Sequence, residues 1–305
     1  MKQGRIVTIG TFDGMHLGHQ AILREVQAQA QAHGLPSLAY AFSVPPRWAL
    51  HALDEQVLLL PTSAKHNLLK TFVDAIHPAM FESVRSMDPE EFVASILIKQ
   101  LDACVVVEGE TFRFGRDRCG DLDTLRSLGK RKGLHVVGVP SVLVENQVVS
   151  STRIRQALRS GNIHETSTCL GRPPMLQGHV VQGDRLGEQL GFPTANLVVD
   201  PHILLPQAGI YLVHAIGTGI LTAGLLYVGT HPAPSLHEHR CEVHLLDFPN
   251  CSLHGETLEV HILDRIRDDR AFPSTDALRS QIEQDVSTAR QRLFNYPLNE
   301  ERISS

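Results

Sequence analysis

The sequence is poor in cysteine and has no closely spaced cysteine pair. Its five cysteines form an odd set, and no two of them stand in a CxxC arrangement. A disulfide scaffold is therefore disfavoured, and reduced thiols in a cytoplasmic protein are expected. The N-terminus also lacks the apolar core of a signal peptide, because residues 8–19 are rich in glycine and polar side chains.

Charge of one sign is not in large excess. The chain has 28 Lys and Arg against 33 Asp and Glu, a formal net charge of −5. Binding to nucleic acid through a broad basic field is therefore disfavoured, although local anion sites are compatible with this balance. Hydrophobic residues make up 42% and charged residues 20% of the 305 positions. These values are typical of globular proteins, and the length favours two domains.

Long uncharged runs are scarce, and the one at residues 209–229 is about long enough to span a bilayer. However, Gly217, Thr218 and Gly219 divide it into two runs rich in β-branched and aromatic residues. This pattern favours a buried β-hairpin over a membrane helix.

Strand-like and helix-like runs alternate in the first half, which favours an α/β domain with a parallel sheet. Gly34 is a stop signal for the first helix, and Asp88 with Pro89 is a start signal for the second. Strands are predicted at 5–10, 38–42, 103–107 and 134–140, and helices at 18–33, 88–100, 121–132 and 150–160.

After the Pro- and Gly-containing segment 170–175, the pattern is almost entirely β. Strands are predicted near 177–182, 195–199, 209–216, 220–228, 241–247 and 257–263. A helix is predicted at about 275–294 from its apolar spacing. A closed, six-stranded antiparallel barrel with a C-terminal helix is the simplest fold for this half.

The stretch "GTFDGMHLGHQ" at 10–20 joins the first predicted strand to the first helix. Glycines at this junction let the backbone approach a ligand closely, and the helix N-terminus favours an anion. His16 and His19 can donate hydrogen bonds to phosphate oxygens. The stretch therefore predicts a phosphate cradle, although histidines at a turn are often only local hydrogen-bonding groups.

Two later segments carry phosphate-binding or ring-binding chemistry. "SSTRIR" at 150–155 offers hydroxyl caps and two arginines that suit phosphate, or else a helix cap followed by solvent-facing arginines. In "FRFGRDR" at 112–118, two phenylalanines beside Arg113 can enclose a flat heterocycle, or the segment is an exposed basic loop.

The segment "GFPTAN" at 191–196 enters a predicted barrel strand. Thr194 and Asn196 share a face because strand side chains alternate, and two neutral oxygens so placed can hold a hard cation. Glu242, in "CEVHLLDF", is by itself no more than an outward-facing strand residue.

Four segments together resemble the prokaryotic bifunctional riboflavin kinase/FMN adenylyltransferase (FAD synthetase) family. They are "GTFDGMHLGHQ", which contains the HxGH signature of nucleotidyltransferases, "GETFRFGRDRCGD" at 109–121, "VSSTRIRQAL" at 149–158 and "LGFPTANL" at 190–197. The resemblance implies a Rossmann-like FMN adenylyltransferase domain at 1–170 and a riboflavin kinase domain at 171–305. It further implies ATP and Mg²⁺ as co-substrate and cofactor, riboflavin, FMN and FAD as substrates or products, and a monomer or weak homo-oligomer.

The resemblance also implies roles for individual residues. Catalytic roles fall on His16, His19, Arg155 and Glu242, with Glu242 as the base of the kinase. Metal binding falls on Thr194 and Asn196, and flavin binding on Phe112, Arg113 and Phe114. ATP binding falls on Gly10, Phe12, Asp13, Gly14, Gly18, Ser150, Ser151, Thr152, Arg153, Gly183 and Gly187.

The chain departs from the family pattern at several positions. In the first half these are Ser43 and Pro45, in a segment where a Glu and a His are usual, and Thr111, where Asp is usual. In the second half they are Leu186 and Glu188, where basic residues are common, together with Tyr227, Ala233 and Asp269. A carboxylate near ATP phosphates would repel them, so the kinase step is expected to be slower or lost.

Four functions therefore stand as alternatives. The first is the bifunctional enzyme, and the second is an adenylyltransferase whose barrel only binds or senses flavin. The third is an adenylyltransferase for another phosphorylated cofactor precursor, and the fourth is a nucleotide- or flavin-binding protein without turnover. A zinc site within "HPAPSLHEHRCEVH" at 231–244 is disfavoured because its ligand spacing fits no tight site.

Overall fold

The structure, a computed structural model, describes residues 4–45, 57–183, 186–230, 239–248 and 253–298. Contacts divide the chain into two compact units, Met1–Ser151 and Thr152–Ser305. The helix Ser151–Arg159 thus begins where the second unit begins, and Gln207 N–H donates to the Leu158 carbonyl at 3.0 Å. A domain boundary after residue 170 stays a prediction.

The first unit is built on a parallel five-stranded sheet of order β3-β2-β1-β4-β5. The strands are β1 Arg5–Gly10, β2 Ser37–Phe42, β3 Ala75–Ala79, β4 Ala103–Gly109 and β5 His135–Val139. β1 pairs with both β2 and β4, so the chain reverses its direction of travel across the sheet there. Ligands of open α/β sheets bind at such a point, beyond the carboxyl ends of the strands.

Five α-helices are described in this unit, and two of them, Thr62–Lys70 and Phe81–Val84, were not predicted. The five are α1 Leu17–His33, α2 Thr62–Lys70, α3 Phe81–Val84, α4 Pro89–Glu91 and α5 Leu122–Lys132. Gly34 ends α1 in the left-handed conformation, and the Asp88 side chain accepts from Glu91 N–H at 2.8 Å at the start of α4. α4 continues as a π-helical segment, Phe92–Gln100, where an ordinary α-helix was predicted.

A small antiparallel pair, β6 Leu143–Val144 and β7 Gln147–Val148, precedes the second unit. The second unit opens with α6 Ser151–Arg159 and α7 Ile163–Leu170. α7 contacts β13, the last strand of the barrel, Thr257–Asp268.

The predicted barrel is confirmed: six strands close in the order β10-β11-β12-β9-β8-β13. The remaining strands are β8 Met175–Val181, β9 Ala195–Val199, β10 Gly209–Gly217, β11 Ile220–Thr230 and β12 His239–Leu245. The uncharged run 209–229 forms the antiparallel pair β10 and β11, which pair from Gly209↔Val228 to Gly217↔Ile220. The predicted hairpin is therefore also confirmed.

Two helices complete the second unit, the short α8 Leu186–Gln189 and α9 Thr275–Arg292. Ser274 caps α9 by accepting from Ala277 N–H at 3.2 Å. One face of α9 packs on the barrel, where Ala289 is fully buried in a cluster with Leu212, Leu225 and Leu263. This packing makes α9 one wall of the cavity described below.

Candidate active sites

The turn between β1 and α1 has an unusual backbone. Phe12, Gly14 and Met15 all have positive φ angles, of 52°, 82° and 46°. Left-handed conformations are unfavourable for side chains larger than glycine, yet Phe12 and Met15 are held there because both are fully buried. The turn brings the chain from the end of β1 directly to the N-terminus of α1.

His16 and His19 meet at this helix N-terminus. Their rings stack with centroids 3.7 Å apart, and His16 Nδ1 accepts from His19 N–H at 3.3 Å. Gly18 makes the arrangement possible, because a Cβ there would lie 3.1 Å from the His16 ring. Burial, together with the nearby His16 and Lys65, holds the pKa of His19 well below its usual value. His19 is therefore neutral at pH 7, and its buried Nδ1 has no hydrogen-bond partner among the described residues.

Asp13 is buried and tied to the chain around it. Its carboxylate accepts from Leu59 N–H at 2.9 Å, and its backbone carbonyl accepts from the Ser151 hydroxyl at 3.0 Å. The structure therefore joins Ser151, at the start of the second predicted phosphate segment, to the β1–α1 turn. Ser150 precedes it in the same unit.

Two buried ionisable groups near this turn were missed by the sequence analysis. Lys65, on α2, is 2% exposed and donates to the carbonyls of Phe42 at 2.9 Å and Ser43 at 3.1 Å. Burial lowers the pKa of Lys65, and Asp13 partly opposes that effect. Glu108, on β4, is equally buried and accepts from Ile9 N–H at 2.6 Å. Burial raises the pKa of Glu108 well above its usual value.

No sequence pattern marks Lys65 or Glu108. One lies in a helix of ordinary composition and the other at the end of an apolar strand. Only the fold brings each of them to its hydrogen-bond partner, Lys65 to the end of β2 and Glu108 to the end of β1.

The remaining predicted phosphate ligands, Thr152, Arg153 and Arg155, belong to the second unit. Arg153 Nε donates to Glu165 on α7 at 2.9 Å. Arg155 is 6% exposed. The alternative interpretation, solvent-facing arginines, is therefore wrong for Arg155, because α6 packs that side chain inward. The role of these residues in binding phosphate stays a prediction.

The predicted flavin-binding loop follows β4. The rings of Phe112 and Phe114 stack with centroids 5.5 Å apart, and Phe114 packs in the core against Phe92. Arg113 is exposed, and its Nη1 donates to the Phe112 carbonyl at 2.8 Å. Of the three, Arg113 is exposed, Phe112 is partly buried against the core, and Phe114 is buried with its ring stacked on that of Phe112.

The second unit contains a cavity of about 560 Å³ between the barrel and α9. Its volume is in the range of small-molecule pockets. Glu242 and Arg240 line it from β12, Thr194 lines it from the segment just before β9, and Leu278 and Ile282 line it from α9. Gly187, on α8, and Phe192, shortly after that helix, also reach it.

Glu242 and Thr194 lie side by side in this cavity. Glu242, on β12, is paired with Asn196 on β9, directly across the barrel ladder. The Thr194 hydroxyl donates to Glu242 Oε2 at 3.2 Å, and Arg240 Nε donates to Glu242 Oε1. The two predicted metal residues and the predicted base are therefore brought together.

Two glycines before β9 allow the chain to pack closely against the segment that carries Thr194 and Asn196. A Cβ on Gly183 would collide with the Asn196 amide, and one on Gly187 would collide with the Phe192 carbonyl. Phe192 N–H donates to the Gly187 carbonyl at 2.8 Å. The predicted nucleotide-binding glycines thus lie against the segment that carries Thr194 and Asn196.

Tyr227 and Asp269, two departures from the family pattern, meet in the same cavity. The Tyr227 hydroxyl donates to Asp269 Oδ2 at 3.3 Å. Burial, reinforced by Asp269, raises the pKa of Tyr227. Tyr227 also pairs directly with Glu242 on the neighbouring strand, so it narrows the cavity beside the predicted base.

The histidine-rich stretch 231–244 is only partly within the described residues, since His231 and His237 lie outside them. Cys241 is buried, and burial raises the pKa of its thiol to about 12. His244 Nδ1 is 2.9 Å from the Pro193 carbonyl. Within the described part of the chain, no group of three His, Cys, Asp or Glu side chains is arranged to hold a metal.

Known proteins resemble both units. A family model for FAD synthetase matches residues 1–153, and one for riboflavin kinase matches residues 170–293. The bifunctional riboflavin kinase/FMN adenylyltransferase of Escherichia coli (strain K12) is 32% identical over 95% of this chain and 93% of its own length. The protein of the same name from Pseudomonas fluorescens is 34% identical over 94% and 93%.

Among solved structures, a protein described as a macrolide-efflux protein from Streptococcus pneumoniae superposes with a TM-score of 0.88 and 32% sequence identity, covering 95% of each chain. In the parts of the chain that the structure describes, each helix is too short or too polar to cross a bilayer. On the strength of the two family matches and of relatives aligned along nearly its whole length, the chain belongs to the bifunctional riboflavin kinase/FMN adenylyltransferase family.

Proposed function

We propose that the barrel unit phosphorylates riboflavin to FMN with ATP, and that the parallel-sheet unit adenylylates FMN to FAD with release of pyrophosphate. The observation that carries the kinase half is the pair formed by Glu242 and Thr194 in a cavity large enough for a flavin. The stacked His16 and His19 at the N-terminus of α1 carry the other half.

For adenylyl transfer, an FMN phosphate oxygen attacks the α-phosphorus of ATP. The bond from that phosphorus to the α–β bridging oxygen breaks, and pyrophosphate leaves with the electron pair. No covalent bond to the protein is needed, so the protein contributes position and charge stabilisation. His19, held neutral by its surroundings, keeps one ring nitrogen to donate to a phosphate oxygen and one to accept.

Backbone and hydroxyl donors complete the proposed nucleotide site. The helix N-terminus at Leu17 favours an anion, and Ser151 already reaches the same turn. The residues proposed to bind ATP are Gly10, Phe12, Asp13, Gly14, Gly18, Ser150, Ser151, Thr152 and Arg153, with Arg155 as a catalytic cation. Phe112, Arg113 and Phe114 are proposed for the flavin side.

For the kinase, Glu242 is proposed to take the proton of the riboflavin 5′-hydroxyl. The hydroxyl oxygen then bonds to the γ-phosphorus, the bond from that phosphorus to the β–γ bridging oxygen breaks, and ADP leaves with the electron pair. Such a transfer needs mainly positioning and charge neutralisation. Gly183 and Gly187 are proposed to admit the phosphates near Thr194.

The donor set around Glu242 fits Mg²⁺. Thr194 and Asn196 offer neutral oxygens next to a carboxylate, and hard cations prefer such ligands. Mg²⁺ held there would neutralise charge on the ATP phosphates. We further propose that the enzyme is cytoplasmic, where ATP is available as co-substrate. We propose that it is a monomer or a weak homo-oligomer.

Separation of flavins by chromatography tests both halves. The purified chain is incubated with ATP and Mg²⁺, with riboflavin in one reaction and FMN in another. We expect FAD from both. FAD from FMN alone would favour an adenylyltransferase with an inactive barrel, and no conversion in either reaction would refute the enzymatic function.

A further inference from the structure

Arg240 is a part of the kinase cavity to which the family resemblance gives no role. It stands two residues before Glu242 on β12, so both side chains project from the same face of the strand. Both line the cavity, and Arg240 Nε donates to Glu242 Oε1. Its side chain is 33% exposed, whereas that of Glu242 is 13% exposed.

The other two arginines of the cavity are committed elsewhere. Arg267 forms an ion pair with the buried Asp285 at 2.8 Å and donates to the Asp268 carbonyl. The Arg270 guanidinium lies 5.1 Å from the centroid of the Phe272 ring and donates to Gln281. Of the arginines lining the described cavity, Arg240 is therefore the one that holds Glu242.

The two oxygens of Glu242 are held unequally. Oε1 accepts from a guanidinium, which forms a strong, charge-assisted hydrogen bond. Oε2 accepts from the neutral Thr194 hydroxyl at 3.2 Å, a weaker and more readily exchanged bond. A substrate hydroxyl can therefore replace Thr194 as donor at Oε2 while Arg240 keeps the carboxylate in place.

We propose that Arg240 is a positioning residue for the kinase reaction, fixing Glu242 Oε1 so that Oε2 is the oxygen that accepts the proton from the riboflavin 5′-hydroxyl. This rests on the proposed kinase function. As the O–H bond breaks, the proton bonds to Oε2 and the hydroxyl oxygen bonds to the γ-phosphorus. ADP departs with the electrons of the broken P–O bond, and Oε2 later releases the proton to water.

Three variants of the full chain test the proposal by steady-state kinetics of FMN formation. Arg240→Gln removes the charge, Arg240→Lys keeps it on a less directional group, and Arg279→Gln removes a charge from the exposed face of α9 as a matched control. FAD formation from FMN is measured in each preparation, because it reports on the folding and activity of the other unit.

A misplaced base lowers the rate of the chemical step without weakening substrate binding. We therefore expect Arg240→Gln to lower kcat for FMN formation by about a hundredfold, with KM for ATP and riboflavin within about twofold of wild type. Arg240→Lys should recover part of kcat. Arg279→Gln and all rates of FAD formation should be unchanged.

A double variant separates a role through Glu242 from an independent one. If Arg240 acts only by positioning Glu242, then Arg240→Gln combined with Glu242→Gln should be no slower than Glu242→Gln alone. The positioning role would be overturned if the loss of kcat in the double variant equalled the product of the losses in the two single variants. It would also be overturned if Arg240→Gln raised KM for ATP and left kcat unchanged.

Failure of the underlying function would look different. If wild type forms no FMN, the proposed kinase activity is refuted and the role of Arg240 with it. If wild type turns over and Arg240→Gln matches it, only the role of Arg240 is refuted.

Discussion

Glu108 illustrates at the residue scale how a single buried carboxyl couples stability to pH. Because burial raises its pKa well above the usual value, the folded chain holds this proton to higher pH than the unfolded chain does. Its contribution to stability is therefore complete below the ordinary carboxyl pKa of about 4.3 and is lost as pH rises towards the raised value.

Replacing Glu108 with glutamine removes this loss. The free energy of unfolding of Glu108→Gln minus that of wild type should therefore increase with pH. The increase should be up to about 1.4 kcal/mol for each pH unit above about 5, until the raised pKa of Glu108 is reached. Denaturant unfolding followed by circular dichroism at several pH values measures the difference. Glu110→Gln, at an exposed position nearby, is the control and should show no such trend. A difference that stays constant with pH would contradict the prediction.

Gly18 is the position where we expect one added atom to affect adenylyl transfer. An alanine there would place Cβ 3.1 Å from the His16 ring, so the imidazole must move by a few tenths of an ångström. Gly18→Ala should lower adenylyl transfer by about tenfold, because small displacements of positioning groups are costly. Stability should not fall, since alanine favours the helix more than glycine.

Kinetics of FAD formation from FMN, with thermal unfolding of the same sample, check the Gly18 prediction. FMN formation from riboflavin depends on the other unit and should match wild type. Unchanged FAD formation would show that the position of His16 does not limit the reaction.

At the scale of elements, one buried ion pair attaches α9 to the barrel and so shapes the flavin cavity. Arg267, on β13, binds Asp285 of α9 through Nε at 2.9 Å and Nη2 at 2.8 Å, and Asp285 is 3% exposed. Removing one partner leaves the other charge buried and unpaired. Asp285→Ala should therefore destabilise the chain by about 3–5 kcal/mol.

The same change should raise KM for riboflavin, because Asp285 also lines the cavity. Denaturant unfolding and FMN-formation kinetics measure the two effects. Glu283→Ala breaks the exposed Arg279–Glu283 pair on the same helix and should cost less than about 1 kcal/mol. Equal losses in the two variants would mean that the buried pair does not anchor α9.

The elements that could be predicted are those with a clear apolar run or a clear capping residue at a helix boundary. The buried β1, β2 and β4 read as largely apolar runs, Asp88 marked the start of one helix and Gly34 marked the end of another. β3, with the sequence AIHPA, was missed, because an edge strand tolerates a proline and needs no strong apolar pattern.

The candidate sites followed the same rule. Motifs contiguous in sequence located His16, His19, Thr194 and Asn196. Lys65 and Glu108 meet their hydrogen-bond partners only through the fold, and Arg240, although it stands two residues from Glu242 on β12, belongs to none of the recognised motifs.

At the scale of the whole molecule, the two activities should be separable. His16 and His19 belong to the unit Met1–Ser151, whereas Glu242 and its cavity belong to Thr152–Ser305. His19→Gln should therefore form FMN from riboflavin and little FAD, and Glu242→Gln should form FAD from FMN and little FMN from riboflavin. Each loss should be about a hundredfold or more, as expected for a catalytic group.

Mixing the two variants tests whether FMN passes between molecules. Released FMN from the His19→Gln chain is a substrate for the Glu242→Gln chain, so the mixture should convert riboflavin to FAD after a lag while FMN accumulates. Time courses by chromatography, with each variant alone as control, measure the lag. Complementation would show that the barrel unit releases FMN and that the parallel-sheet unit takes FMN up from solution, because neither variant can complete the sequence alone. A mixture in which the FMN formed stays bound to the His19→Gln chain and no FAD appears would instead mean that FMN must be handed on within one chain.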